Sequence, residues 1–303
     1  MANRLVAFTL LVAATLLSGC TTLTTDRHLF QLGETRIQVR VTQNRSATPT
    51  MVNVHDDENT SVRAGRVVVR ESGGRLIELV HSGKRFVEFQ LEGDAYRFDP
   101  NRIFTEEGIR ATLTRQKNYS DAAHAVVRKF AQELLETFEL NRQPVIIALH
   151  NTGNGGLSIN SYQPAQALDR AADRVHETKS RNAGDFFYVT DERFFAWLKE
   201  RDFNVMLQDN ANVPDDGSMS VYFGRRGIPY LNIEANNHHL EEQIEMVRAA
   251  ERMLAELKIL PSPGPQQQPS RTRCSRQRSV ARDRVLPLPA TIRWFRWPEF
   301  GSS

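Results

Sequence analysis

The sequence predicts an α/β fold, in a single domain with a mixed, mostly parallel central sheet covered by helices on both faces. Strand-like and helix-like segments alternate along residues 21–260, as is typical of parallel sheets with helical crossovers. The run 145–149 (Val-Ile-Ile-Ala-Leu) is apolar throughout, as expected for a strand buried inside such a sheet. The segment is long enough for one domain with a sizeable core.

The predicted elements follow from two periodicities. Apolar, β-branched and aromatic runs mark the strands, which are residues 38–41, 51–54, 76–80, 86–91, 145–149, 186–189, 205–207 and 230–234. Among these, 76–80 and 86–91 are expected to be a pair, because the turn signal Ser-Gly-Lys separates them. Apolar residues at three-to-four spacing mark the helices, which are residues 61–69, a long helix capped by Ser120, residues 192–201, one turn at 218–223, and residues 240–257.

Residues 1–20 predict a lipoprotein signal peptide. Arg4 gives a positive start, residues 5–17 form an apolar stretch, and the run Leu-Ser-Gly before Cys20 resembles the lipobox of bacterial lipoproteins. Cys20 is therefore the predicted lipidation site. Thr21 follows instead of the Asp that retains lipoproteins in the inner membrane. We expect a lipid-anchored, periplasmic protein of the bacterial cell envelope, at the outer membrane.

Residues 261–303 form a Pro/Gln/Arg-rich tail, for which the composition predicts disorder. Eight Arg against Asp283 and Glu299 give the tail a charge of +6. The whole chain is +3, so residues 1–260 carry −3. The tail could contact anionic lipid or another polyanion, or it could be dispensable. The mildly negative domain itself is not expected to bind nucleic acid.

His55, Glu58 and His150 are candidate metal ligands. His55 and Glu58 lie three residues apart after the predicted strand 51–54, and His150 ends an apolar strand. Ligand sites in α/β sheets lie at such strand ends. Two His and one carboxylate are the ligand set of a catalytic zinc with an open position for water. Taken alone, His150 could be a core or surface histidine, and Glu234, in another apolar strand, could be half of a structural ion pair.

The order and spacing of these residues resemble the zinc carboxypeptidase-like superfamily, especially its aspartoacylase and succinylglutamate desuccinylase branch. The matching motifs are His55-x-x-Glu58, the run 99–104 (Asp-Pro-Asn-Arg-Ile-Phe), the strand-end His150, and Ile233-Glu234. The resemblance spans residues 51–235 and implies a zinc carboxypeptidase-like fold. One departure is that the family's Gly-rich approach to the first ligand is replaced here by Met-Val-Asn-Val.

The resemblance also implies roles for the matching residues. His55, Glu58 and His150 would bind Zn²⁺, and Glu234 would be the general base that later gives its proton to the leaving amine. The zinc ion would lower the pKa of a bound water and polarise the scissile carbonyl.

The substrate's free carboxylate would be held by Asn101 and Arg102, since a guanidinium matches a carboxylate bidentately. Without the neighbouring motif, a surface salt bridge would be the preferred interpretation of Arg102. A looser match would place Tyr222 and Arg226 near the substrate.

The sequence thus predicts a zinc-dependent hydrolase that cleaves an amide bond next to a free carboxylate, in a domain spanning residues 21–260. An envelope location favours a carboxypeptidase or amidase (a zinc metallopeptidase or amidohydrolase) acting on peptidoglycan-derived peptides. Two alternatives stay open: a deacylase of small N-acyl amino acids, and a non-catalytic binding lipoprotein that retains the fold.

Overall fold

A computed structural model of the chain describes residues 23–116, 118–153, 156–261 and 281–284. The strands in these residues are β1 (Thr24–Leu32), β2 (Thr35–Asn44), β3 (Thr50–Asn53), β4 (Gly74–Val80), β5 (Val87–Leu91), β6 (Asp94–Phe98), β7 (Ile146–Thr152), β8 (Ala172–His176), β9 (Phe186–Val189), β10 (Val205–Gln208), β11 (Tyr230–Asn236) and β12 (Ala281–Arg284). The α-helices are α1 (Asn59–Ser72), α2 (Glu106–Arg115), α3 (Asp121–Thr137), α4 (Glu192–Glu200), α5 (Met219–Gly224) and α6 (Leu240–Glu256).

The main sheet has the strand order β12-β1-β2-β4-β3-β7-β11-β9-β10-β8. Its four central strands, from β4 to β11, are parallel to one another. Antiparallel pairings occur on the flanks, between β1, β2 and β4 on one side and at β9–β11 and β8–β10 on the other. The prediction of a mixed sheet with a parallel centre is confirmed.

Helices cover both faces of this sheet. Successive side chains of a strand point to opposite faces. Ile146 and Ala148 of β7 accordingly join one core cluster with α2, α3 and α5. Ile147 and Leu149 join the other core cluster with α1, α4 and α6. The predicted two-sided helical cover is therefore also confirmed.

The long helix α3 begins where its capping residue predicts. The Ser120 hydroxyl accepts a hydrogen bond from the Ala123 backbone N–H at 3.1 Å, which satisfies one of the unpaired donors of the first turn. Val127 and Phe130 are fully buried, and the Phe130 ring packs edge-on against Phe30 at a centroid distance of 5.7 Å. Burying each such side chain contributes about 1.5–3 kcal/mol to the stability of the fold.

The predicted pairing of strands 76–80 and 86–91 is wrong. Strand β4 lies between β2 and β3 in the main sheet, whereas β5 pairs with β6 in a separate two-stranded sheet. The turn at Glu92-Gly93 explains the difference, because both residues have positive φ (54° and 86°) and form the tight connection that two antiparallel strands require. Strands β1, β6, β8 and β12 and helix α2 are not among the predicted elements.

The two ends of the chain lie mostly outside the described residues. The predicted signal peptide (1–20) and its lipidation site, Cys20, are outside them, as is most of the tail 261–303. The four residues of β12 differ from the predicted disorder of the tail, since they pair in parallel with β1. None of the helices in the described segments is both long enough and apolar enough to cross a membrane.

Candidate metal centre and active site

Parallel strands bring the candidate residues together at one edge of the sheet. His55 follows β3 by two residues, while His150 lies on β7 and Glu234 on β11. His150 and Glu234 are direct neighbours in the register of β7 and β11. Gln243 of α6 is fully buried and donates hydrogen bonds to the backbone carbonyls of His150 (2.7 Å) and Ile233 (3.3 Å). Helix α6 therefore holds the ends of both β7 and β11 in place.

The site opens into a cavity of about 690 Å³ at this edge. The cavity is bounded by both charged and apolar groups. Its residues with ionisable side chains are His55, Glu58, Arg85, Arg102, His150, Tyr162, Arg170, Tyr188, Asp216, Tyr230 and Glu234. Leu157, Leu168 and Val213 are among its apolar residues. A concave, partly apolar site with a few converging polar groups is typical of small-molecule and peptide binding.

His55, Glu58 and His150 converge closely enough to hold a metal ion. Their candidate ligand atoms all lie within 4.8 Å of one another, and all three residues are buried. The Nδ1 atoms of His55 and His150 lie 2.7 and 2.8 Å from the two oxygens of Glu58. These two nitrogens are only 3.2 Å apart. Each Nδ1 can either donate a proton to the nearby Glu58 oxygen or, when it carries no proton, offer its lone pair to a metal ion.

Asp99 orients His55, the first of these candidate ligands. Its carboxylate accepts a hydrogen bond from His55 Nε2 at 2.8 Å, so the Nδ1 lone pair of the same ring can face the site. Burial alone would raise the pKa of Asp99, but His55 and Arg85 hold that pKa well below its usual range. Asp99 itself is fixed by the Thr112 hydroxyl, which accepts a hydrogen bond from the Asp99 backbone N–H at 2.9 Å. Sequence reasoning had included Asp99 in a motif without giving it this role.

The charges at the site favour a bound cation. Burial opposes ionisation of Glu58, yet the two histidines outweigh it and lower the pKa of Glu58 to about 2. Burial likewise opposes a charged His55, but Glu58 and Asp99 raise the pKa of His55 to about 9. The two carboxylates thus attract positive charge to His55 strongly enough to hold a proton there. A divalent metal ion would meet the same attraction and displace that proton.

Arg85 is a site residue that the sequence reasoning missed. Its Nη1 donates to Glu58 Oε1 at 3.1 Å and its Nη2 donates to Asp99 Oδ2 at 3.3 Å. The side chain is 41% exposed and lines the cavity. A guanidinium beside the metal site can stabilise negative charge on a substrate oxygen. No local motif marks Arg85, because its position depends on how the loop between β4 and β5 packs.

Glu234 is placed to accept a proton. It is 5% exposed and lines the cavity, and Asn232 Nδ2 donates to its Oε2 at 3.2 Å. Burial raises its pKa above the ordinary value for a glutamate, against the opposing charge of His150. Among the residues that the structure describes, no Lys or Arg forms an ion pair with it. In the part of the chain that the structure describes, Glu234 is therefore not half of a structural ion pair.

Asn101 and Arg102 both line the cavity, as the motif implies. The Asn101 side-chain oxygen accepts a hydrogen bond from the Met219 backbone N–H at 3.1 Å, which anchors the segment to α5. Arg102 Nη1 donates to the Asn101 carbonyl at 2.7 Å, and its Nη2 lies 3.5 Å from Asp216 Oδ2. Because its side chain is still 29% exposed, Arg102 can offer further N–H groups to a carboxylate.

Tyr222 and Arg226 do not lie where the looser match placed them. Helix α5 turns Tyr222 into the core, where its ring packs against Phe104 at 6.0 Å. The Arg226 guanidinium lies 3.7 Å from the centre of the Tyr222 ring, and its Nη1 donates to the Tyr222 carbonyl. Neither residue lines the cavity, so the structure does not bring them together with the other candidate site residues. The tyrosines that do line it are Tyr162, Tyr188 and Tyr230.

No protein-family model matches the sequence, and no curated protein matches it. Among solved structures, the chain is similar to murein-tripeptide amidase MpaA from Escherichia coli O157 (10% identity, 76% of this chain and 91% of that chain, TM-score 0.39). It is also similar to an aspartoacylase family protein from Mesorhizobium loti (12%, 79% and 68%, TM-score 0.39). A third similar structure is the tripeptide-bound cell shape determinant Csd4 from Helicobacter pylori (11%, 70% and 52%, TM-score 0.37).

Proposed function

We propose that this chain is a zinc-dependent hydrolase that cleaves an amide bond next to a free carboxylate. The observation that carries the proposal is the convergence of His55, Glu58 and His150 in a cavity that also holds Glu234 and Arg102. Three nitrogen and oxygen ligands from the protein leave a coordination position open, as catalytic zinc sites do.

Each residue has a role that follows from its position. Zinc would supply Lewis acidity, which polarises the scissile carbonyl and lowers the pKa of water. Glu234 would take a proton from the attacking water and give it to the leaving amine. Arg85 would stabilise the developing negative charge on the carbonyl oxygen. Arg102 would hold the substrate carboxylate and thereby position the bond to be cleaved.

Peptidoglycan-derived peptides are the substrate class that we propose. The predicted lipobox at Cys20 supports it, because a lipid-anchored periplasmic protein would meet cell-wall peptides rather than cytoplasmic acyl amino acids. A cavity of about 690 Å³ also leaves room for a peptide rather than only a single small amino acid. The envelope location is part of the same proposal.

Metal analysis tests the centre directly. We expect about one zinc per chain in wild-type protein and loss of the metal in His55→Ala, because that ring supplies one of three ligands. His176→Ala is the matched control, since His176 lies on β8 and does not line the cavity. Wild-type protein without stoichiometric metal, or His55→Ala protein that retains it, would refute the proposed site.

Digestion of muropeptides tests the activity and the substrate. Wild-type protein should release products whose masses correspond to cleavage of one amide bond, and Glu234→Ala should not. Glu242→Ala, on the exposed first turn of α6, should match wild type. If muropeptides stay intact while small N-acyl amino acids are hydrolysed, the protein is a deacylase instead. If it binds metal and hydrolyses neither, the binding-lipoprotein alternative is correct.

A further inference from the structure

The loop 81–86 connects β4 to β5 and brings Arg85 to the metal site. The loop has no helix or strand of its own. Its residue Gly83 adopts a left-handed conformation (φ +68°) with open space on the side where a Cβ would lie. At Gly83 the loop is therefore not held by packing on that side, and the backbone there depends on hydrogen bonds.

Asp56 provides such a contact. Its Oδ2 accepts hydrogen bonds from the backbone N–H groups of His81 and Gly83, both at 2.7 Å. Hydrogen bonds to an ionised carboxylate are short and about twice as strong as neutral ones. Among the described residues, the other side chains from outside the loop that hydrogen-bond to it do so through loop side chains: Glu88 through the exposed Lys84, and Glu58 and Asp99 through Arg85 itself. Asp56 is thus the acceptor that fixes the loop backbone.

We propose that Asp56 is a positioning residue that holds the Arg85 loop against the metal site. The inference rests on the proposed hydrolase function, in which Arg85 faces the substrate's carbonyl oxygen. Asp56 immediately follows the ligand His55. The segment 55–58 therefore supplies two metal ligands and also the anchor for the group that stabilises the oxyanion.

The position of the two proposed metal ligands and the position of Arg85 thus both depend on the backbone of residues 55–58. Arg85 contacts Glu58 and Asp99 at 3.1 and 3.3 Å, distances that a small displacement of the loop would break. Misplacement of a catalytic group by about 1 Å can reduce the rate on the order of 100-fold. Asp56 would therefore control catalysis through Arg85 without touching the substrate.

A double-mutant cycle on the full chain tests the proposal, with muropeptide hydrolysis as the assay. Loss of one oxyanion donor typically reduces kcat about 10²–10³-fold. Asp56→Ala should therefore reduce kcat about 10–100-fold, with little change in KM and with the zinc content unchanged. In Asp56→Asn, the amide oxygen can still accept both hydrogen bonds, so this variant should recover most of the activity. Asp57→Ala is the control, because Asp57 is the exposed neighbouring acid.

The decisive comparison is between Arg85→Ala and the double variant Asp56→Ala/Arg85→Ala. If Asp56 acts through Arg85, the double variant should be no slower than Arg85→Ala, within about threefold. Effects of the two substitutions that multiply would overturn the proposal, because Asp56 would then act independently. Wild-type kcat in Asp56→Ala would also overturn it.

Hydrogen–deuterium exchange separates this inference from the proposed function. In Asp56→Ala, the amides of His81 and Gly83 should exchange at least about tenfold faster than in wild type, because both lose their acceptor. Unchanged exchange refutes the anchor even if the protein is an active hydrolase. Faster exchange in a protein that hydrolyses nothing supports the anchor, while the proposed function fails.

Discussion

Glu251 should make the fold less stable as the pH rises through neutrality. This residue of α6 is 7% exposed, and the Ser72 hydroxyl at the end of α1 donates to its Oε2 at 2.9 Å. Burial raises the pKa of Glu251 from the ordinary 4.5 to about 7 and Glu71 adds to the shift, while the hydrogen bond from Ser72 and the charges of Arg248 and Arg252 oppose it. The folded protein therefore binds this proton more tightly than the unfolded chain does.

The sign and size of the effect follow from proton linkage. The stabilisation from the proton on Glu251 is fully present below pH 4.5 and is lost as the pH rises through about 7. At about 1.4 kcal/mol per pH unit, the full loss is about 3 kcal/mol. Such a loss is a large fraction of the stability of a typical domain, which is about 5–15 kcal/mol.

Urea unfolding of wild type and Glu251→Gln at pH 5 and pH 8.5 measures this loss. Glutamine resembles the protonated acid and can still accept the hydrogen bond from Ser72. Part of the stabilisation is already lost at pH 5, so the difference in free energy of unfolding between variant and wild type should shift by about 2.5 kcal/mol in favour of the variant on going to pH 8.5. Glu242→Gln, at an exposed site on the same helix, should show no such shift. Equal pH dependence of Glu251→Gln and wild type would refute the reasoning.

Three further outcomes are expected. Asp99→Asn should weaken zinc binding about 10–100-fold in chelator competition, because the charged partner of His55 is lost. Arg102→Lys should raise KM about tenfold or more for a substrate with a free carboxylate but not for its neutral amide, since an ammonium cannot bind bidentately. Gly217→Ala should lower the free energy of unfolding by more than about 1 kcal/mol in urea titration, because φ is +76° and the new Cβ would lie 2.5 Å from the Arg102 carbonyl. Gly83→Ala, with φ +68° but open space around it, should cost less.

The centre of the fold and most of the site could be predicted from sequence, because they depend on local pattern. The apolar runs of β7 and β11 predict buried strands, and parallel strands place their carboxyl ends at one edge. His150 and Glu234, near the ends of those runs, therefore meet as predicted. The peripheral strand β8 was missed because its sequence, Ala-Asp-Arg-Val-His, is mostly polar and lacks a clear period-two pattern.

The errors at the site concern residues placed by packing rather than by pattern. Arg85 reaches Glu58 across 27 positions of the sequence, through a loop whose path no periodicity encodes. Tyr222 matched a family position, but α5 directs its ring into the core beneath Arg226. The identity of a residue predicts what chemistry it can perform. Which way its side chain points is decided by the elements packed around it.

The two hydrogen bonds from Gln243 couple the movement of α6 to that of two strands at the site. They join α6 to the backbone of β7 at His150 and to that of β11 beside Glu234. Neighbouring strands are held about 4.8 Å apart by their own hydrogen bonds. A shift of α6 would therefore carry His150 and Glu234 together as one unit. The spacing between His150 and Glu234 would therefore be kept in motions of α6 that change their distance from Arg102.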